Sequence, residues 1–136
     1  MSGTVTVDRM AEAIAAELRE YSQEVTDGLK EDVKAVAKDT VQELKSTSPK
    51  EQGISKRKGR YAKGWYASEV YESETDIRVT VHNKTDYQLA HLLEFGHEVI
   101  VAGKSVGHYN GVAHIRPAEE KAEEKLMKKV KVRVRA

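Results

Sequence analysis

Cysteine is absent from this chain, which excludes a disulfide framework, a thiolate metal site and a cysteine nucleophile. The absence is also compatible with a reducing cytoplasm. Phenylalanine and tryptophan occur once each, so the core is small for 136 residues. Such a core is expected where neighbouring subunits complete the apolar surface, or where a long helix is solvated. No apolar run approaches the length of a membrane span, and the start lacks the charged-then-apolar pattern of a signal peptide. The expectation is a protein made in a cytoplasm, with no membrane partner. Net charge is only +1, which argues against a dedicated nucleic-acid binder and leaves local patches to be weighed separately. The two prolines, Pro49 and Pro117, both read as helix boundaries.

Charged residues make up 33% of the chain, whose length suits one domain. Residues 8–45 read as a long amphipathic helix. Val7, Ala11, Ile14, Leu18, Tyr21 and Val25 recur at three-and-four spacing, and Leu29, Val33, Val36, Val41 and Leu44 continue the stripe after a slip in phase near Gly28. Asp8 is the expected N-cap, and Ser46-Thr47-Ser48-Pro49 the expected stop. Residues 46–60 are rich in Lys, Arg, Ser and Gly and read as an exposed basic loop. Residues 61–101 contain two alternating strands, Tyr61–Tyr71 and Ile77–Val81, then a short helix over 87–95 and a strand at Glu98–Val101. A glycine-rich loop over 102–113, a helix over 117–129 and an alternating tail over 130–136 complete the chain. Helices at both ends, packed on a small antiparallel sheet with a short helix between strands, make the expected fold class α+β.

The stretch from Tyr87 to Ala118 is the most informative. Asp86 suits the cap of a helix whose Leu89, Leu92, Leu93 and Phe95 form an apolar face, and Gly96 suits its left-handed end. Pro117 suits the first turn of the last helix, where its missing N–H would have no helical partner.

Catalytic chemistry finds little support. There is no GxSxG elbow and no HExxH signature. His91, Glu94 and His97 offer imidazole and carboxylate near one helix, the basis of a zinc-hydrolase reading, but they straddle a helix end. Gly103-Lys104-Ser105 resembles the end of a phosphate loop but lacks the upstream glycine, since position 98 is Glu98. Glu119-Glu120 and Glu123-Glu124 lie early in the last helix, where its dipole favours negative charge. We therefore expect no catalytic residue, metal, cofactor or small-molecule substrate. The basic residues carry more weight. Lys56, Arg57, Lys58 and Arg60, with Trp65 nearby, are the cations and aromatics of a nucleic-acid contact, and Arg133 and Arg135 extend the basic character to the tail. The plainer reading is a solubilising loop in front of core aromatics. The alternating tail also suits addition to a neighbour's sheet edge.

The LLEFG motif at Leu92–Gly96, with a loop and then Arg116-Pro117-Ala118 opening a helix, resembles a family of tailed-phage tail components and head–tail joining or tail-completion proteins. A long first helix, Ser48-Pro49, a basic loop and Tyr61-Ala62-Lys63-Gly64-Trp65 follow the same order. Where the family pattern has a small polar residue and then Phe-Leu before Arg-Pro, this chain has His97 and His114-Ile115. The resemblance implies a structural virion protein at the head–tail junction or upper tail, assembled in the bacterial host cytoplasm. It implies a closed ring, a hexamer by tail symmetry, with other neck and tail proteins as neighbours. Lys56, Arg57, Lys58, Arg60, Trp65, Leu92, Phe95, Arg116, Arg133 and Arg135 are its candidate contact residues, with non-specific contact to DNA in the channel. The alternative is a small nucleic-acid-binding module using the same basic segments.

Overall fold

The computed structural model describes residues 13–18, 21–49, 59–85 and 90–135. In chain order its elements are β1 (Ala13–Glu17), α1 (Gln23–Thr47), α2 (Arg60–Lys63), β2 (Trp65–Glu72), β3 (Asp76–Asn83), α3 (Ala90–Phe95), β4 (His97–Val101), β5 (Lys104–Tyr109) and α4 (Ile115–Arg135). The alternation of Ile77, Val79 and Val81 makes β3 the middle strand of an antiparallel sheet ordered β1-β3-β2, with all three side chains buried. β4 and β5 form a separate antiparallel hairpin.

α1 lies on the face of the sheet that carries these valines and the isoleucine, and buries Leu29, Val33, Val36, Ala37, Val41 and Leu44. Full burial of each large apolar side chain among them stabilises the fold by about 2 kcal/mol. α4 runs antiparallel along α1, with Lys121 paired to Glu43 at one end and Arg133 to Asp32 at the other. Its Ile115, Ala118, Ala122, Leu126 and Val130 recur at three-and-four spacing and join the core cluster. The α+β class expected from the pattern is the class observed, with long helices toward both ends flanking a small antiparallel sheet. The layering adds a detail, since α4 packs chiefly on α1 rather than on the strands.

Several boundaries differ from those read in the sequence. The stripe through Ile14 and Leu18 is not the start of α1. Ala13–Glu17 pairs with β3 in register Ile14↔Val79, and Leu18 N–H donates to the Thr75 carbonyl. An apolar pair four residues apart satisfies both period two and period 3.6, and the open edge of β3 decides for the strand. α1 begins instead at Ser22, whose hydroxyl accepts from Val25 N–H. The Asp8 cap lies outside the described residues, as do Asp86 and Leu89. The helix stops at Thr47, within the Ser46–Pro49 stop, with Ser48 extended before the proline.

Tyr61 to Lys63 belong to the single turn α2, and the strand starts only at Trp65. The glycine-rich stretch over 102–113 contains β5, and Ala102-Gly103 is the two-residue hairpin turn with both φ values positive. The last helix spans Ile115–Arg135, so the segment read as an alternating tail is helical up to Arg135 and does not supply a free strand. Val130 and Arg133 turn toward α1 at helical spacing, and Val132 and Val134 face outward.

Gly28, within α1, is held to glycine by a close approach. A Cβ there would overlap the Arg133 guanidinium, which lies over the glycine and pairs bidentately with Asp32 one turn on. The buried Asp32 carboxylate raises the guanidinium above its ordinary value through these hydrogen bonds.

Candidate functional site

The chemistry of this chain converges where α3 meets the start of α4. Leu93 anchors α3 in the core, and this turns the neighbouring Glu94 side chain inward as well. Its Oε1 accepts from the backbone N–H of His114 at 2.7 Å and of Ile115 at 2.9 Å, and Oε2 accepts from Arg116 N–H at 3.1 Å. The next residue, Pro117, has no N–H, and Ala118 already donates to the His114 carbonyl. Every donor that an α-helix leaves without a partner at its start is therefore accounted for. A carboxylate at this pole also meets the positive end of the helix dipole.

His114 extends the junction into the core. Its Nδ1 stands 2.7 Å from the Val112 carbonyl and 2.9 Å from Glu94 Oε1, both acceptors, so Nδ1 carries the proton. Nε2 then accepts from the Tyr61 hydroxyl at 2.7 Å. The rings of Tyr61, Trp65 and His114 meet edge to face, and Trp65 Nε1–H donates to Ser48 Oγ at 2.8 Å. Asn83 Nδ2–H donates to the Tyr61 carbonyl at 2.6 Å. This network joins the end of α1, the turn α2, the end of β3, α3 and α4 in one buried patch.

Burial pushes the His114 imidazole below its ordinary value, against the opposing pull of the Val112 carbonyl and the Glu94 carboxylate. The sign follows from linkage. Below the unfolded value of 6.5 the unfolded chain takes up a proton that the folded chain refuses, so stability is complete above that pH and is lost as pH falls from it toward the folded value. Urea midpoints are therefore expected to drop between pH 7 and pH 5 in the native chain, and the drop is expected to shrink in His114→Gln. The surface carboxylates of Glu72 and Glu98, held low by their hydrogen bonds, act below their ordinary value of 4.5, whereas Glu119, raised by burial and by Glu123 and Glu120, acts above it with the opposite sign and is common to both chains.

The chain leaves this junction and returns to it. Gly96 and Gly111 both have positive φ, 87° and 70°, and pack backbone to backbone. A Cβ on Gly96 would overlap the Tyr109 carbonyl oxygen, and one on Gly111 would lie 2.5 Å from the Gly96 nitrogen. Val112 N–H donates to the Leu93 carbonyl just beside them. The β4–β5 hairpin is thus an excursion with a closed base, steadied by His97 against Tyr109. Beyond that base, Val99, Ile100, Val101 and Val106 are 37% to 63% exposed.

The candidate contact residues are dispersed. Lys56, Arg57 and Lys58 lie outside the described residues. Arg60 opens α2 and is exposed, whereas Trp65 is 3% exposed and offers no ring for base stacking. Leu92 is half-buried and Phe95 is 53% exposed, so of the described residues of that apolar face only Leu93 lies in the core. Arg116 reaches Glu120 on the surface, Arg133 is held by Asp32, and Arg135 is exposed. The zinc reading fails on Glu94, because both its oxygens are engaged by backbone N–H groups of α4. No group of metal-ligating side chains occurs among the described residues. The sequence reading missed Glu94 as a cap because cap and helix are twenty residues apart. The only signal was a proline at the third helical position, where no carboxylate oxygen is needed.

A carboxylate, an imidazole and an indole here hold elements together, beside an apolar hairpin facing outward. Residues 12–96 match the family model described as "Bacteriophage HK97-gp10, putative tail-component", and the chain belongs to that family. It is accordingly a phage structural protein. The matched stretch runs from the residue before β1 to the glycine that closes α3. Comparison with curated proteins and with solved structures returned no match.

Proposed function

We propose that the protein is a virion component of a tailed phage or prophage, placed at the head–tail junction or the upper end of the tail. It acts there by assembling into a closed ring and meeting other neck and tail proteins, without catalysis. The observation that carries this reading is the hairpin. Two strands alone are marginal in water, and this pair adds exposed valines and an isoleucine that the chain's own core does not cover. A neighbour in an assembly would cover them.

Electron microscopy of lysates from a phage or prophage lacking the gene tests the reading. Filled heads beside separate tails, or tails of abnormal length, are the expected result; intact infectious particles would refute it. Within a ring, the cations of the loop over 46–60 would be multiplied around a channel and meet DNA through its phosphates alone, without sequence readout. Replacing Lys56, Arg57, Lys58 and Arg60 together with serine is then expected to leave the unfolding midpoint unchanged and to lower the yield of infectious particles. An unchanged titre would remove that role from the loop.

A further inference from the structure

We propose that strand β4 of one copy adds to the open edge of β2 in a second copy, seating apolar hairpin side chains in the cleft between α1 and β2. The inference rests on the ring reading above and names the two surfaces that would close it.

The receiving surface is built from the sheet edge upward. Among the described residues β2 pairs only with β3, so its other edge presents unpaired backbone N–H and C=O groups. Beside that edge lies a cleft of about 350 Å³, with Ala37, Val41 and Val79 on its apolar wall. Lys34, Lys38 and Lys45 of α1 line the same cleft. Lys34 is engaged by Glu69 and Glu72, while Lys38 and Lys45 have no ion-pair partner among the described residues. The edge therefore offers backbone pairing, apolar surface and two free cations together.

The hairpin supplies the complement. β4 pairs only with β5, so its second edge is open as well. Val99 and Val101 are exposed along it and share one face of the strand, while Glu98, held by Ser105 and His108 within the hairpin, lies on the other. The lengths agree. β4 has five residues, and β2 offers the five positions Trp65 to Glu69 before its register shifts after Glu69. Each stretch spans roughly 17 Å at the rise of a β-strand. The β2 edge and the hairpin are also different patches of one chain, which is what a ring needs and a two-fold dimer does not.

A contact confined to one strand pair is small, on the order of 1,000 Å² in total, at the weak end of specific interfaces. It holds loosely between two free copies and firmly once ring closure engages both patches of every copy.

The absence of cysteine makes the test clean. Val99 is the middle residue of β4 and Ala67 the middle of the five edge positions, so the two meet whether the strands run parallel or antiparallel. Both are exposed, and replacement with cysteine spares the core. Phage would be grown with a mixture of tagged Val99→Cys and untagged Ala67→Cys copies. The particles would then be oxidised or treated with a short bismaleimide. A tagged–untagged dimer, absent when either variant is used alone, is the expected product, and the double variant is expected to give a ladder. Val99→Cys dimers formed without the Ala67→Cys copy would overturn the proposal in favour of hairpin-to-hairpin contact. Intact particles that contain the protein but give no cross-link would overturn the docking and leave the ring reading standing. Particles without the protein would overturn both.

Discussion

Glu94→Ala is expected to lower the unfolding free energy by about 3 kcal/mol, among the largest effects of any single substitution here. The variant leaves the N–H groups of His114, Ile115 and Arg116 without their acceptor, in a place where His114 and Ile115 are 1% exposed and water does not substitute. The loss exceeds that of an ordinary N-cap, about 1 kcal/mol, because one side chain serves three donors and carries charge at the helix pole. Glu94→Gln isolates the contributions. Its one carbonyl oxygen keeps the bonds to His114 and Ile115, while its amide turns donors toward Arg116 N–H, for a loss of about 1 kcal/mol. Urea denaturation followed by circular dichroism measures both. A Glu94→Ala midpoint equal to that of the native chain would show that α4 starts without this cap.

Gly96→Ala is expected to be comparably severe, with a cost of about 3 kcal/mol or loss of the folded hairpin base. Two penalties add: a left-handed backbone disfavours any Cβ by about 1 kcal/mol, and this Cβ also meets the Tyr109 carbonyl oxygen, a backbone atom that cannot swing aside. Gly103→Ala provides the control. Its φ is +78°, so it carries the first penalty, but nothing lies within 4 Å of the added carbon. That variant should cost only about 1 kcal/mol. Thermal unfolding of the pair, with limited proteolysis across residues 97–111, measures the difference. Equal midpoints would mean that the approach of Gly96 to Gly111 contributes nothing.

Local patterns were legible wherever one period was unambiguous. Ile77, Val79 and Val81 alternate too regularly for anything but a strand, and Leu29 through Leu44 recur too regularly for anything but a helix. Pro49 and Pro117 marked helix boundaries because their effect is steric and local. The failures lay where a pattern satisfied two periods. Ile14 and Leu18 fit helix and strand equally, and the alternating Val130 to Arg135 fits a strand although it lies on α4. For Trp65 the sequence left a base-stacking ring beside the plainer reading of a core aromatic, and Ser48 and Tyr61 hold it in the core.

The sequence by itself determined the α+β class, the stop of α1, the strand nature of β3 and the resemblance to a tailed-phage family, all of which rest on short-range periodicity and punctuation. Tertiary structure alone decided that Ala13–Glu17 is a strand, since only the open edge of β3 distinguishes it from a helix. It also decided that Glu94 caps α4, that His114 is neutral between Tyr61 and Val112, and that Gly96 meets Gly111. Each of these joins residues separated by fifteen positions or more, or depends on what surrounds a side chain, and a one-dimensional pattern records neither separation in space nor exclusion of water.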